Sequence, residues 1–271
     1  MYDMTYHRPA SLADAVDLFS HLDEPSYLSG GHTLLPAMKG RLAAPAHLID
    51  VRRIPELSGL RAGADVIEIG AATTHATVAA SAELGRVLPA LCGLAGSIGD
   101  VQVRHVGTIG GSVANNDPAA DYPAAVLSLD AVLHTERRRI AADDYFAGLY
   151  TTALEEGELL TRIVFKVPES AGYAKFRNPA SRYAFAGAFV SRYRDGRVRV
   201  AITGAGNAGV FRWTEAEAAL QKRFAPDALS GLTVDPDAML GDHHAPADYR
   251  AHLVGVVTRR AVNATGSVDI R

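Results

Sequence analysis

Residues 108–121 read TIGGSVANNDPAAD, and the organisation of the whole chain turns on how this stretch is understood. A glycine pair, Gly110-Gly111, is followed by small residues and then by two carboxylates, Asp117 and Asp121. Small side chains let a flat or extended ligand come close to the backbone. Thr108 and Ser112 add hydroxyls, and the carboxylates can accept hydrogen bonds from ribose-type hydroxyls. The same residues also read as a plain loop with an Asp117-Pro118 turn and a helix cap at Asp117. Taken alone, the residues support both readings.

Working upstream, a second glycine pair stands in Ser29-Gly30-Gly31-His32-Thr33-Leu34-Leu35. It separates a short apolar piece, Tyr27-Leu28, from a helical pattern that begins near Leu34, with Pro36 tolerated in the first turn. Backbone N–H groups converging at such a turn bind phosphate without a cationic side chain. The alternative is a bare strand–helix turn. His32 is either a structural side chain hydrogen-bonded to backbone or a proton shuttle. Before this loop, Ser11 caps a helix with Leu12, Ala15, Val16, Phe19 and Leu22 at helical spacing. Residues 48–51 read as a strand, so the first fifty-odd residues form a small α/β unit.

Downstream of that unit, residues 66–70 read as a strand, and 77–84 and 88–98 as helices. Residues 104–121 read as a polar, glycine-rich segment, with no helix or strand assigned to it. A short helix at 122–129 and strands at 131–134 and 160–167 follow. Past Pro168 the character changes. Strands at 184–193 and 197–202 flank Asp195-Gly196, a strong hairpin signal, and helices follow at 214–224 and 249–262. Gly204-Ala205-Gly206-Asn207-Ala208-Gly209 matches the dinucleotide fingerprint formally. Its preceding strand, however, is half of a hairpin, and no second parallel strand with a ribose-binding acid follows. Neither glycine pair has the Gly-Lys-Ser/Thr ending of a P-loop.

Composition narrows the function classes. The formal net charge is -3, from 27 Lys+Arg against 30 Asp+Glu, which gives no electrostatic case for nucleic acid. Arg137, Arg138 and Arg139 read as a solvated turn. The one cysteine, Cys92, excludes an internal disulfide and any four-cysteine metal or iron–sulfur site; in its apolar setting it reads as a buried, inert thiol. No apolar window approaches the length of a membrane span. The N-terminus lacks the basic start and apolar run of a secretory signal. The expectation is a cytoplasmic protein. No His pair has metal-ligand spacing, so no metal site is expected on this chain.

The two glycine loops, in this order, resemble the FAD-binding subunits of the molybdenum hydroxylase family, of the aerobic carbon monoxide dehydrogenase medium-subunit type. Xanthine dehydrogenase carries a more distant version within a longer chain. The residues that carry the likeness are SGGHTLLPAMK at 29–39, RHVGTIGGSVANNDPAADYPAA at 104–125, GELLTRIVFKVP at 157–168 and KFRNPASRYAFAG at 175–187. The resemblance implies an α+β chain with a PCMH-type, non-Rossmann FAD-binding domain at 1–168. That domain has two α/β subdomains, about 1–55 and 56–168. A C-terminal domain of antiparallel strands and helices follows at 169–271.

It further implies that Ser29, Gly30, Gly31, His32, Thr33, Leu34 and Leu35 wrap the pyrophosphate and the nearby ribityl chain. Thr108, Gly110, Gly111, Ser112, Ala114 and Asp117 line the rest of the FAD path, and Asp121 meets its ribose or ribityl hydroxyls. Leu160 lies near the adenine, and Lys175 or Arg177 is the basic residue nearby. Ile98 stands where xanthine dehydrogenase has an aromatic residue. Arg182 and Tyr183 precede a strand, where Tyr183 either approaches the isoalloxazine or begins a surface strand. By the same resemblance the chain is an electron-transfer oxidoreductase subunit. Its partners are a large molybdenum-binding subunit and a small [2Fe–2S] subunit, in a dimer of heterotrimers. Its FAD passes electrons to NAD, a quinone or oxygen. The rivals are a stand-alone flavin or nicotinamide oxidoreductase using the Gly204-to-Gly209 loop, and a cofactor-free scaffold subunit.

Overall fold

The structure, a computed structural model, describes residues 2–265 and 268–270. The chain begins with β1 (Thr5–His7), α1 (Leu12–His21), β2 (Pro25–Leu28), α2 (Leu34–Lys39) and β3 (His47–Asp50). The three strands form a parallel sheet in the order β1-β3-β2. Ser11 caps α1 as expected, its Oγ accepting the Asp14 N–H at 3.1 Å. Strand β1 carries no signal of its own. Three residues make a strand only because β3, some forty positions later, pairs with them.

A second layer follows: β4 (Leu60–Ala62), β5 (Val66–Gly70), α3 (His75–Ala80), α4 (Ala82–Val87), α5 (Pro89–Gly96), α6 (Val101–Val106), α7 (Ile109–Asn115), α8 (Tyr122–Ser128), β6 (Val132–Thr135), β7 (Arg139–Ala141), α9 (Ala142–Tyr145), β8 (Phe146–Gly148), β9 (Thr151–Thr152) and β10 (Leu160–Lys166). Its main sheet has the order β4-β5-β10-β6-β7 and every pairing is antiparallel. The helix expected at 77–84 is two helices. Ser81 ends α3 and caps α4, accepting the Leu84 N–H at 3.2 Å.

Residues 104–121 depart most from the sequence reading. They contain the end of α6 and the whole of α7, which begins at a Thr108 N-cap and stops at Asn116 in left-handed geometry. Two glycines in the first turn of α7 cost helix propensity of about 1 kcal/mol each, which is why the segment looked irregular. Packing explains Gly110: a Cβ there would lie 2.5 Å from the Ala71 Cβ. Asp117 caps no helix, because α8 starts only after Asp121.

Between β10 and β11 (Ser170–Arg177) the chain leaves the second sheet for a third. The remaining elements are β12 (Ala184–Arg192), β13 (Val198–Thr203), β14 (Phe211–Arg212), α10 (Thr214–Lys222), α11 (Ala247–Asn263) and β15 (Val268–Ile270). The sheet order is β14-β13-β12-β11-β15, antiparallel except for β11 with β15. The Asp195-Gly196 hairpin is present, with Gly196 at φ +84°. Every residue of α8 is buried, because the helix is packed between layers and so is apolar on all sides. The core of the second layer continues into the third through Tyr173, Phe189 and Ala201.

Gly172 on β11 has no room for a side chain, since a Cβ there would sit 2.1 Å from the Ala261 carbonyl oxygen of α11. Gly172→Ala should therefore destabilise by about 3 kcal/mol, and lower Tm by roughly 6–12 °C, because backbone must move. The control is Gly85→Ala in α4, where the nearest atom is Cys92 Sγ at 4.0 Å; it should be neutral or slightly stabilising. Thermal unfolding of both variants checks the pair.

Candidate cofactor cleft

Where the first and second layers meet, the structure encloses a cleft of about 650 Å³, within the range of small-molecule and cofactor sites. Its walls come from the two glycine loops, from the run after β5, and from the start of β10. Ser181, Arg182 and Tyr183 of the third layer also line it.

The glycine loops touch each other. A Cβ on Gly30 would lie 2.7 Å from Gly107 Cα and 2.9 Å from the Val106 carbonyl oxygen. Beside this contact the Ser29 and Thr108 hydroxyls hydrogen-bond at 2.8 Å. Beyond it the two loops differ in chemistry. In the first, the N–H groups of Gly30, Gly31, His32 and Thr33 donate to no other group among the described residues, and Gly31 takes φ +69°. Such a run of open amides presents partial positive charge to an anion. In the second loop the donors are taken. Ile109 N–H donates to the Thr73 carbonyl at 3.0 Å, Gly110 N–H to Ala71 at 2.8 Å and Gly111 N–H to Thr108 Oγ1 at 3.1 Å. Its glycines make a close-packed wall.

Ser29, Gly30, Gly31, His32, Thr33, Leu34, Thr108, Gly110, Gly111, Ser112, Ala114, Asp117, Asp121 and Leu160 all line this single cleft. Leu35 and Lys175 do not. Leu35 packs instead beside Leu28, Met38 and Leu48. Lys175, 1% exposed, stands behind Asp121, with Nζ 2.9 Å from its carboxylate and donating to the Ser97 carbonyl at 3.3 Å. Arg177 is exposed at the end of β11. The buried Tyr173 hydroxyl donates to Asp121, and its own ionisation is pushed far up by burial and by that carboxylate. Asp121 thus faces the cleft with its carboxylate already anchored from behind. Asp117 closes a local turn, accepting the Ala119 N–H at 2.8 Å.

The His32 ring is exposed and makes no hydrogen bond among the described residues, so the backbone-bonded role is not what the structure shows. Tyr183 is half-exposed at the cleft mouth, and burial followed by the Asp117 charge raises its phenol. Arg182, at φ +63°, donates from Nη1 to the Gly99 carbonyl at 3.1 Å and so ties the third layer to the second.

Among the lining residues that sequence reasoning missed are His75, Val103 and Glu158. None stands in a pattern that marks it. His75 is 5% exposed and its Nδ1 is buried without a partner. Burial, then His32 and Arg104, lower its pKa to about 4, so it is neutral at pH 7. Glu158 is gripped by Arg138, one of the three arginines read as solvated. Nε and Nη2 of Arg138 reach its two oxygens at 2.9 and 2.8 Å. Thr135 Oγ1 and the Glu155 N–H add bonds at 2.7 and 2.8 Å. The Gly204-to-Gly209 loop joins two antiparallel strands, β13 and β14, which rules out a Rossmann site there. Among the described residues no group of three or more His, Cys, Asp or Glu is placed to hold a metal.

Comparison with known proteins agrees with this geometry. Residues 2–169 match the family described as FAD binding domain in molybdopterin dehydrogenase. The chain is 41% identical to the carbon monoxide dehydrogenase medium chain of Afipia carboxidovorans, over 95% of this chain and 94% of that one. It is 34% identical to the nicotine 6-hydroxylase medium subunit of Paenarthrobacter nicotinovorans, over 97% of each. In structure it is similar to a chain of the Cu,Mo-CO dehydrogenase in its cyanide-inactivated form, with TM-score 0.85, 36% identity, and coverage of 97% of this chain and 98% of that one.

The Arg138 guanidinium, with smaller help from the Glu155 N–H and Thr135, lowers the Glu158 carboxyl from 4.5 to about 2 despite its burial. A carboxyl depressed by folding adds stability that is complete above its unfolded pKa and is lost as pH falls toward its folded one. Wild-type stability should therefore fall between about pH 5 and pH 2, with Glu158→Gln showing a shallower slope in that window. At pH 7 the variant should lose about 2 kcal/mol, the lower part of the range for charged hydrogen bonds, because Arg138 is half-exposed and screened. Urea titrations across pH measure both.

Proposed function

This chain belongs to the family of FAD-binding domains in molybdopterin dehydrogenases, and from that membership we propose that it is the FAD-carrying medium subunit of a molybdenum hydroxylase. The observation that carries the reading is the open amide run of Gly30, Gly31, His32 and Thr33, closed against the Thr108 wall in one cleft. The residues present fit FAD. The amides suit its pyrophosphate, the small-residue wall from Gly110 to Ala114 admits an extended chain, and Ile98, Val103 and Leu160 offer apolar surface to a flat ring. His75 also lines this path, with its Nδ1 buried without a protein partner.

FAD held there would supply redox chemistry able to proceed in one- or two-electron steps, suited to an iron–sulfur donor and to NAD, a quinone or oxygen as acceptor. Everything else falls to the side chains and backbone of this chain. The four amides neutralise phosphate charge. Asp121, fixed by Tyr173 and Lys175, accepts from a ribose or ribityl hydroxyl without having to reorient. Tyr183 and Arg182 close the mouth against water. We place the molybdenum centre on a large partner and the clusters on a small one, since one cysteine cannot ligate a cluster. The substrate is then chosen outside this chain. The assembly we expect is a dimer of heterotrimers in the cytoplasm, with 1–168 as the cofactor domain and 169–271 as the C-terminal domain. No helix among the described residues is long and apolar enough to cross a membrane.

Denaturing the purified chain should release one FAD per chain, identified by absorbance and mass. Gly30→Ala, which forces the two loops apart at backbone, should weaken FAD binding by at least about tenfold, the equivalent of 1.4 kcal/mol. Folded chain that takes up no flavin even when FAD is supplied would sink the proposal.

A further inference from the structure

The Gly204-to-Gly209 motif forms no Rossmann turn, yet its first residue and the threonine before it reach the cofactor cleft from behind. Thr203 ends β13 and is fully buried. Its hydroxyl lies 2.6 Å from the Ala120 carbonyl oxygen and 3.2 Å from that of Pro118, so one donor serves both. The Gly204 N–H donates to the Pro118 carbonyl at 2.8 Å. Only glycine fits at 204, where φ is +82° and a Cβ would lie 2.5 Å from the Ala184 carbonyl oxygen. The Gly204 carbonyl in turn accepts from Nη1 of the buried Arg250 at 2.7 Å.

The segment these groups hold is the one that carries Asp117 and Asp121, both of which line the cleft. It runs between the left-handed end of α7 and the start of α8, so neither helix fixes it. Its internal bonds are short-range: Asp117 accepts from the Ala119 N–H through its side chain and from the Ala120 N–H through its carbonyl. Such bonds shape a turn without setting where it stands. Its place is set by one rung of the third sheet, on which Lys175, Gly187 and Thr203 pair in register across β11, β12 and β13. Residues directly opposite one another share a face of the sheet. Lys175 holds the Asp121 carboxylate and Thr203 holds the carbonyl just before it. Gly187 leaves the space between them to the Tyr173 hydroxyl, which lies 2.9 Å from where a Cβ would stand. A buried carbonyl that loses its donor is costly, so removing the Thr203 hydroxyl drives this turn to shift.

We propose that Thr203 is a positioning residue for the cofactor: from the third layer it sets the turn at 117–121 so that Asp117 and Asp121 meet FAD. This rests on FAD being the occupant of the cleft. The test uses full-length chain stripped of flavin, as wild type, Thr203→Val, Thr203→Ser and Thr258→Val. Thr258 is the control, because it is equally buried in the same layer and its hydroxyl donates to the Val254 carbonyl at 2.7 Å, within α11. Each protein is titrated with FAD by calorimetry below its Tm, and backbone amide exchange is followed by mass spectrometry. Thr203→Val should raise Kd about tenfold and speed exchange in the peptide spanning 117–121. Thr203→Ser, which keeps the hydroxyl, should recover most of the affinity. Thr258→Val should leave Kd and that peptide unchanged, whatever its Tm. If Thr203→Val does not fold, Thr203→Ala removes the same hydroxyl and carries the same expectations. Unchanged Kd in the variant lacking the hydroxyl overturns the assignment. An equal loss of affinity in Thr258→Val does so too, since the effect would then be a general weakening of the third layer. Faster exchange spread over the whole chain, or no recovery in Thr203→Ser, makes Thr203 merely structural and also overturns it. Wild type that binds no FAD removes the parent reading, and this inference with it, a result distinct from the others.

Discussion

The contact on which the rest of this molecule depends is backbone against backbone. Gly30 meets Gly107 with no space for a Cβ, and the Ser29–Thr108 hydroxyl pair closes beside it. The first loop follows β2 of the parallel sheet, and the second joins α6 to α7 in the layer built on the antiparallel sheet. Elsewhere the first layer, with its three short strands, meets the second through Ala72 and Leu159 and through the Tyr27 hydroxyl, which donates to the Gly157 carbonyl at 3.2 Å. Through the loop contact, the two layers share a cleft whose walls are fixed to within a side chain.

Two glycine pairs that look alike in sequence serve opposite ends. The first leaves amides open and uses a left-handed residue to curve them together. The second consumes its amides in bonds to Ala71, Thr73 and Thr108, and its missing side chains let α7 lie against Ala71. One loop supplies electrostatics and the other supplies shape. An anionic group and a flat ring need these two things separately, and the cleft provides them on facing walls.

Two of the carboxylates that line the cleft, Asp121 and Glu158, are anchored by groups placed behind them. Lys175 and Tyr173, on β11, reach Asp121 from the third layer. Arg138 reaches Glu158 from the turn after β6. Removing one member of such a pair leaves the other desolvated, which costs more than the pair contributes. These pairs therefore act chiefly by holding Asp121 and residues 158–160 in one place. The third layer thus takes part in the site without contributing most of its surface, and the fully buried α8 between layers transmits that support.

Local chemistry was enough to read much of this from the chain. The Ser11 cap, the period-two strand at 66–70, the Asp195-Gly196 hairpin and the long TIGGSVANNDPAAD motif each carry their signal within a few residues, and a single cysteine limits the cofactors. What the chain could not declare depends on partners far away in sequence. Strand β1 exists because β3 accepts it. Helix α7 carries Gly110 in its first turn because Ala71 leaves no room there for anything larger. Arg138 is a clamp because Glu158 folds back to it. Lys175 stands behind Asp121 because β11 carries it to the residue that precedes α8. His75 is neutral and unsatisfied because the layers bury it. The sequence by itself determined which short elements form and which residues have the chemistry to bind a dinucleotide. Only the tertiary structure decided which of them face one another, because burial and desolvation are properties of packed layers and not of neighbouring residues.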